Sequence, residues 1–276
     1  MSTKLQRQAA FEASFLGFLH RQFTAPKPLP AHTDLTGQVA VVTGLPRLDI
    51  AILNAGLIET RFTVVPATEH EVTLQVNYLS TALLAMLLLP VLKAKKARGA
   101  AGPPVLTIVS SDMAYKAEIE TAGPVLRQLD APDAFSGFDW YGKSKLLLML
   151  FVSKLAEQVD GDDVVVNVVN PGMTSNTAFF RGLPTVLAKP LAVCQWLLAR
   201  PVHVAATTYV DAAAARGAES HGAFLSDWTI KPFPKMYYTP EGAGFRERLW
   251  DETMEEFNFA GGASVISRLG RGRALV

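Results

Sequence analysis

The sequence predicts an α/β protein built on a doubly wound parallel sheet, truncated near its N-terminal half. Three observations predict it. Short runs such as Val105–Val109 (VLTIV) and Val164–Val169 (VVVNVV) are apolar almost throughout, as strands covered on both faces are. Long helical stretches alternate with these runs. The runs end in polar or glycine-bearing clusters, Asn54-Ala55-Gly56, Ser110-Ser111 and Asn170-Pro171-Gly172. In open sheets of this kind ligands bind beyond the carboxyl ends of the strands.

Composition bounds the rest. The 276 residues are 49% hydrophobic and 18% charged, with a net charge of +1. That balance suits a large core and argues against a nucleic-acid surface or an acidic partner. The lone Cys194 excludes an internal disulfide framework and fits a reducing, cytoplasmic setting. Among Leu191, Val193, Trp196 and Leu197 it reads as a small buried hydrophobe. No run of eighteen apolar residues occurs, so no membrane span is expected. Near the N-terminus, Glu12 interrupts the apolar stretch Phe11–Leu19 and no small-residue cleavage site follows. That stretch reads as an amphipathic helix lying on the domain, ahead of a membrane-surface anchor.

The elements follow in order. Residues 1–35 form an N-terminal helix and a linker containing Pro26, Pro28 and Pro30. A single domain then spans 36–260, and 261–276 reads as a frayed tail. Val39-Ala40-Val41-Val42 is a first strand ending in Thr43-Gly44, and Asp49–Leu53 is the next. A helix runs from about Glu69 to Lys93, with Asn77 in its first half. Asparagine is unfavourable there, so Asn77 either has a task or is simply exposed or self-satisfied. Lys93–Gly99 suits a solvated helix end. After Val105–Val109, residues 113–138 are irregular, and long irregular segments often border binding sites. Ser136 or Asp139 caps a helix running to about Gln158. Beyond Val164–Val169 come a helical region from Ala188 to Ala215, a short strand at Gly222–Leu225 and a closing helix from Glu241 to Phe257.

One helix carries Tyr141 and Lys145, four residues apart and so on one face. A cation beside a phenol favours the phenolate and would pull the tyrosine pKa down toward working pH. The pair alone also occurs by chance. Its weight comes from the ordered companions.

Those companions resemble the short-chain dehydrogenase/reductase family, in its fungal, retinol-dehydrogenase-like type. The matching residues are Thr43-Gly44, Asn54-Ala55-Gly56, Asn77, Ser110-Ser111, Tyr141-x-x-x-Lys145 and Asn170-Pro171-Gly172, over about residues 36 to 180. The resemblance implies a Rossmann-like fold and hydride transfer between a carbonyl or alcohol carbon and NADP or NAD, with NADP favoured. Tyr141 then moves the substrate proton, and Lys145 tunes it and holds the nicotinamide ribose. Ser111, or else Ser110, holds the substrate oxygen, and Asn77 places a relaying water. Gly44, Asn54, Ala55, Gly56, Gly172 and Thr174 join Tyr141 and Lys145 around the cofactor. The resemblance also implies a small hydrophobic substrate, secondary-metabolite chemistry and a homo-oligomer.

One departure is large. Gly44 is followed by Leu45-Pro46-Arg47-Leu48 and then by the next strand. No glycine-rich phosphate loop occurs there, and two βα units of roughly 30 residues each are absent. With them go the helix N-terminus for a pyrophosphate and the residue that reads the adenine ribose. Parallel neighbours need a crossover of about a dozen residues, so either the first strand pairs antiparallel with the second through a tight turn, or it leaves the sheet, or the sequence lacks a segment of the natural product after Gly44. Weak cofactor binding is therefore expected. Two other readings stay open, a non-redox acid/base enzyme using Tyr141 and Lys145, and a catalytically inactive partner protein.

Overall fold

A computed structural model describes residues 3–27, 48–96, 102–175, 193 and 195–269. The strand at 39–43, Gly44, the Gly44–Leu45 join and Cys194 lie outside the described residues.

Four parallel strands stand in sequence order: β1 (Ile50–Leu53), β2 (Val105–Val109), β3 (Val165–Asn170) and β4 (Phe224–Ser226). β5 (Thr229–Lys231) closes the edge antiparallel to β4. The parallel α/β sheet read from the sequence is thus present. Alternate side chains separate the two faces. Leu106, Ile108, Val166, Val168 and Phe224 join the main core, while Val109, Val169 and Leu225 face the other way into a small cluster with Ala212.

The main core is made by two crossover helices. The first begins as a π-turn at Leu74–Ser80, where backbone bonds reach five residues back, and continues as α3 (Thr81–Lys96). Buried Glu71, instead of a helical Glu69, precedes it. Its carboxylate accepts from the Thr73 and Leu74 amides at 2.7 and 3.1 Å. Lys93 is no solvated cap, because its Nζ bonds Leu269 O and pairs with Asp163 at 2.9 Å. Residues 74–94 are long and apolar enough to cross a membrane, yet half of that span is buried within the fold.

The second crossover is α4 (Gly137–Glu157), in which Leu146–Val152 are all buried. A helix apolar all round belongs in a core. Neither expected cap bonds its start: Ser136 makes no capping bond, and Asp139 pairs with Lys143 at 2.6 Å. The helix start instead packs so closely that a Cβ on Gly137 would lie 1.9 Å from Glu59 O.

Two helices occupy the N-terminus, α1 (Thr3–Ala13) and α2 (Phe15–Phe23), where one was expected. Ser14 breaks them and caps α2, accepting from Gly17 N at 3.0 Å. On the second sheet face lies α5 (Val202–Val210), followed by a π-turn at Asp211–Ala215. α6 (Pro240–Glu256) closes the core. Gly262–Leu269, expected to fray, is a helix α7, because Val265, Ile266 and Leu269 share one apolar side that packs on the core.

Candidate active site

The carboxyl ends of β1, β2 and β3 open into a cavity of about 520 Å3. Asn54, Ala55, Gly56, Ser111, Tyr141, Lys145, Gly172 and Thr174 all line it. Of the residues expected in the site, Asn77 lies just behind the wall and Gly44 lies outside the described residues.

Each is placed by local structure. Ser111 ends β2, and its Oγ accepts from Met113 N at 3.2 Å, capping a short 3-10 turn. Ser110 also lines the cavity, but its hydroxyl donates to Lys145 O at 3.0 Å. Its hydroxyl is thus committed to backbone, which leaves Ser111 as the serine that faces Tyr141. Asn170 ends β3, donates to Ser226 and accepts from Gly172 N at 3.2 Å. Gly172 has φ +77, a left-handed conformation that side chains resist, and a Cβ there would meet Arg200 and Gln22 at 3.1 and 3.2 Å.

Tyr141 and Lys145 share the face of α4 that looks into the cavity. The Lys145 ammonium lies 5.8 Å from the Tyr141 ring centre and donates to Val109 O at 3.0 Å. Desolvation alone lowers the Lys145 pKa to about 8. Tyr141 goes the other way: burial raises it well above 10, a hydrogen bond with Ser111 lowers it, and Asp112 and Tyr209 raise it. The expected lowering of Tyr141 by Lys145 is therefore absent. Burial penalises the charged form of both groups, and the ammonium turns to a carbonyl instead of the phenol.

Asn77 is fully buried. Its Oδ1 accepts from Leu57 N at 2.8 Å, and its Nδ2 donates to Leu57 O and Ser144 Oγ at 2.9 and 3.0 Å. It ties the Asn54–Leu57 turn to α4, and π-turns such as the one it sits on recur at functional sites. A Cβ on Gly56 would lie 3.2 Å from Lys145 Nζ and 3.3 Å from Asn77 Oδ1. Only bare backbone passes over the lysine here, which fits a cradle for the nicotinamide ribose end of a dinucleotide. Among the described residues none forms a glycine-rich helix N-terminus for its pyrophosphate.

Two contributions were missed from sequence. Val202, Ala205, Ala206 and Tyr209 present one face of α5 to the cavity, and Tyr209 OH donates to Asn54 Oδ1 at 2.8 Å. The i, i+3, i+4, i+7 spacing was visible, but it marks a core face equally well. Phe18 from α2 also lines the cavity, with no signal in the sequence.

No family model matches the chain. It is 49% identical to the short chain dehydrogenase virL of Hypocrea virens, over 98% of this chain and 100% of the relative. That alignment runs over 340 positions against 276 residues here, so roughly 64 or more positions of the relative face no residue of this chain. The short chain dehydrogenase/reductase mfmJ of Annulohypoxylon moriforme is 44% identical over 83% of this chain and 67% of the relative. Among solved structures, an uncharacterised protein from Mycobacterium paratuberculosis superposes with a TM-score of 0.51 at 19% identity, covering 78% of this chain and 69% of its own. That likeness carries the fold alone.

Proposed function

This chain belongs to the short-chain dehydrogenase/reductase family of oxidoreductases, and from that premise we propose that it interconverts a carbonyl and an alcohol on a hydrophobic small molecule. The observation that carries the reading is the convergence of Ser111, Tyr141 and Lys145 on one largely apolar cavity. Ser111 hydrogen-bonds the substrate oxygen, and Tyr141 passes the proton to or from it. A phenol kept protonated by burial is a donor at neutral pH, which suits ketone reduction. A nicotinamide dinucleotide, NADP ahead of NAD, supplies or takes the hydride when bound. Asn54, Ala55, Gly56, Gly172 and Thr174 would hold its nicotinamide half, with Lys145 toward the ribose. Asn77 keeps the Gly56 backbone over Lys145.

The unmatched positions of the virL alignment equal in size two βα units of roughly 30 residues each. This supports the reading that the units missing after Gly44 are the ones that grip the pyrophosphate, and that this chain binds the dinucleotide weakly. The fungal relatives support a role in secondary-metabolite synthesis, which we place in the cytoplasm. Leu84, Leu87 and Val91 remain nearly half exposed on α3, which supports self-association.

The test is turnover of aryl ketones with NADPH or NADH at millimolar concentration. Reduction that disappears in Tyr141→Phe is expected. Reduction that persists in Tyr141→Phe, or none at any cofactor concentration, overturns the reading. A second reading is favoured by an acid/base pair that is built beside a pyrophosphate site that the described residues lack: proton transfer without redox. It predicts activity with no nicotinamide added, lost in Tyr141→Phe.

A further inference from the structure

Among the described residues the sheet begins at β1, yet the α1–α2 hairpin before it sends Phe18 into the lining of the cavity. Helix α2 turns Phe18, Arg21 and Gln22 inward, an i, i+3, i+4 set. Arg21 is buried, and its Nε and Nη2 donate to Asp112 Oδ2 at 3.2 and 3.1 Å. Its Nη1 donates to Glu12 Oε2 and O at 2.7 and 2.6 Å, and its plane lies 5.3 Å from the Tyr115 ring centre. Gln22, with its amide oriented to satisfy both neighbours, donates to Leu198 O and accepts from Met173 N at 3.2 Å each. The two helices approach closely enough that a Cβ on Gly17 would lie 2.1 Å from Phe11 O.

These anchors are placed for the site. Asp112 directly follows Ser111, and Met173 directly follows Gly172. The hairpin is thereby pinned to the strand ends that carry Ser111 and Gly172. Phe18 rides on it into the cavity, whose other apolar lining includes Ile58, Phe138, Met173 and Val202. The Phe18 ring is itself held, stacked on Phe15 at 6.2 Å and 25°, with the Lys116 ammonium 5.8 Å from its centre. A fixed aromatic surface opposite a polar end favours a flat ring system that carries its oxygen at one edge.

We infer that the α1–α2 hairpin is the substrate-side wall of the cavity and that Phe18 is a specificity-determining residue for flat aromatic ketones or alcohols. This rests on the carbonyl–alcohol reading above and names its substrate class.

The test is binding, with no cofactor present. The probe is 2-acetylnaphthalene, a neutral aromatic ketone, titrated by fluorescence. Phe18→Ala is expected to weaken binding about five- to tenfold, which is roughly 1–1.4 kcal/mol and within the worth of one aromatic contact. Phe18→Trp, which keeps a ring, and Phe23→Ala, on the same helix with its ring 68% exposed, are expected to stay within about twofold. Phe18 is partly exposed, so these variants are expected to fold, and circular dichroism checks it. Unchanged affinity in Phe18→Ala while Phe138→Ala weakens it overturns the inference, because the wall then lies elsewhere. Equal losses in Phe23→Ala and Phe18→Ala also overturn it, because the probe is then adsorbing on the outer surface. Ketone reduction that survives Tyr141→Phe would sink the function reading and leave this binding result intact, so the two failures are distinguishable.

Discussion

Two buried polar clusters lie back to back at Ser111 and Asp112, and they are built on opposite rules. The first, Ser111, Tyr141, Lys145 and Asn77, holds one cation and no carboxylate. The second joins three acids to three bases. Arg21 meets Glu12 and Asp112 at 2.7 and 3.1 Å, Lys231 meets Glu12 at 2.7 Å, and Arg200 pairs with Asp227. Burial is common to both, so the difference lies in compensation. In the first cluster desolvation acts almost unopposed and shows as displaced pKa values, Lys145 down to about 8 and Tyr141 up. In the second, burial would lower Arg21, but Asp112 and Glu12 more than offset it, and the guanidinium is held above its ordinary value. On the proposed function the first cluster is the one that exchanges protons. The Arg21 pairs that tie the N-terminal hairpin to the sheet are held in charged form, although burial still raises the Asp227 carboxyl in spite of Arg200 and Lys231.

The largest effect that can break this contrast is chemical. Tyr141→Phe removes the phenol that hydrogen-bonds Ser111 and is expected to lower kcat by about 10²–10⁴-fold, with thermal stability nearly unchanged. A kcat within threefold of wild type would mean that the poised cluster does no acid/base work. Next comes the locked cluster. Arg21→Met leaves Glu12 facing only Lys231 and strips Asp112 of its buried partner. Breaking a buried pair costs about 3–5 kcal/mol, read as a lower urea midpoint. A midpoint equal to wild type would mean that the network is ornamental to folding.

The two clusters were not equally legible. Ser111, Tyr141 and Lys145 sit at a strand end and on one helical face, positions that periodicity alone can place. Their companions Asn54–Gly56 and Gly172 mark turns that glycine announces. The partners of the charge network are Glu12, Arg21, Asp112, Arg200, Asp227 and Lys231, spread over most of the chain with no spacing in common. Only the folded chain brings them together. β5 was missed for a local reason. Hairpins of two residues favour Asn-Gly, whereas here Asp227 and Trp228 take φ +55 and +54. Tertiary bonds hold that unfavourable turn: Asp227 to Arg200, and Trp228 Nε1 to Thr207 Oγ1 at 3.0 Å. Helix α7 was lost because a short amphipathic segment at a terminus looks like any tail. The expected cofactor grip has no counterpart among the described residues, and no glycine-rich loop follows Gly44 in the sequence.

A smaller effect sharpens the contrast through pH. Burial holds folded Lys145 at about 8 against its ordinary 10.5. Between those values the unfolded chain keeps the proton that the folded chain has released. Stability therefore rises with pH in this window, by at most about 1.4 kcal/mol per pH unit, and the gain is lost as pH falls through about 8. Above pH 10 the raised phenols of Tyr78, Tyr115 and Tyr141 oppose it, because the folded chain then holds more protons than the unfolded. Urea midpoints at pH 8 and 9.5 are expected to rise in wild type and to stay flat in Lys145→Met. Parallel lines for the two proteins would show that Lys145 is not desolvated.

The smallest effect separates the two adjacent serines. Ser110 Oγ donates to Lys145 O, the carbonyl of the residue whose ammonium faces the cavity. Deleting that hydroxyl removes one buried hydrogen bond and leaves the carbonyl short of a partner, at a cost of about 1 kcal/mol. Ser110 also lines the cavity, but the hydroxyl lost is the one turned to that carbonyl, and Tyr141 keeps its hydrogen bond with Ser111. Ser110→Ala is thus expected to lower the urea midpoint slightly while keeping kcat within about twofold. Ser111→Ala does the reverse. It loses only a partly exposed cap to Met113 N, but it deprives Tyr141 of the one hydrogen bond that opposes the upward push of burial. A tenfold or greater loss of kcat is expected, since a positioned donor to a developing oxyanion is worth at least that much. If the two variants exchanged these behaviours, the boundary between the structural and the reactive cluster would have to be moved by one residue, with Ser110 inside the site and Ser111 outside it.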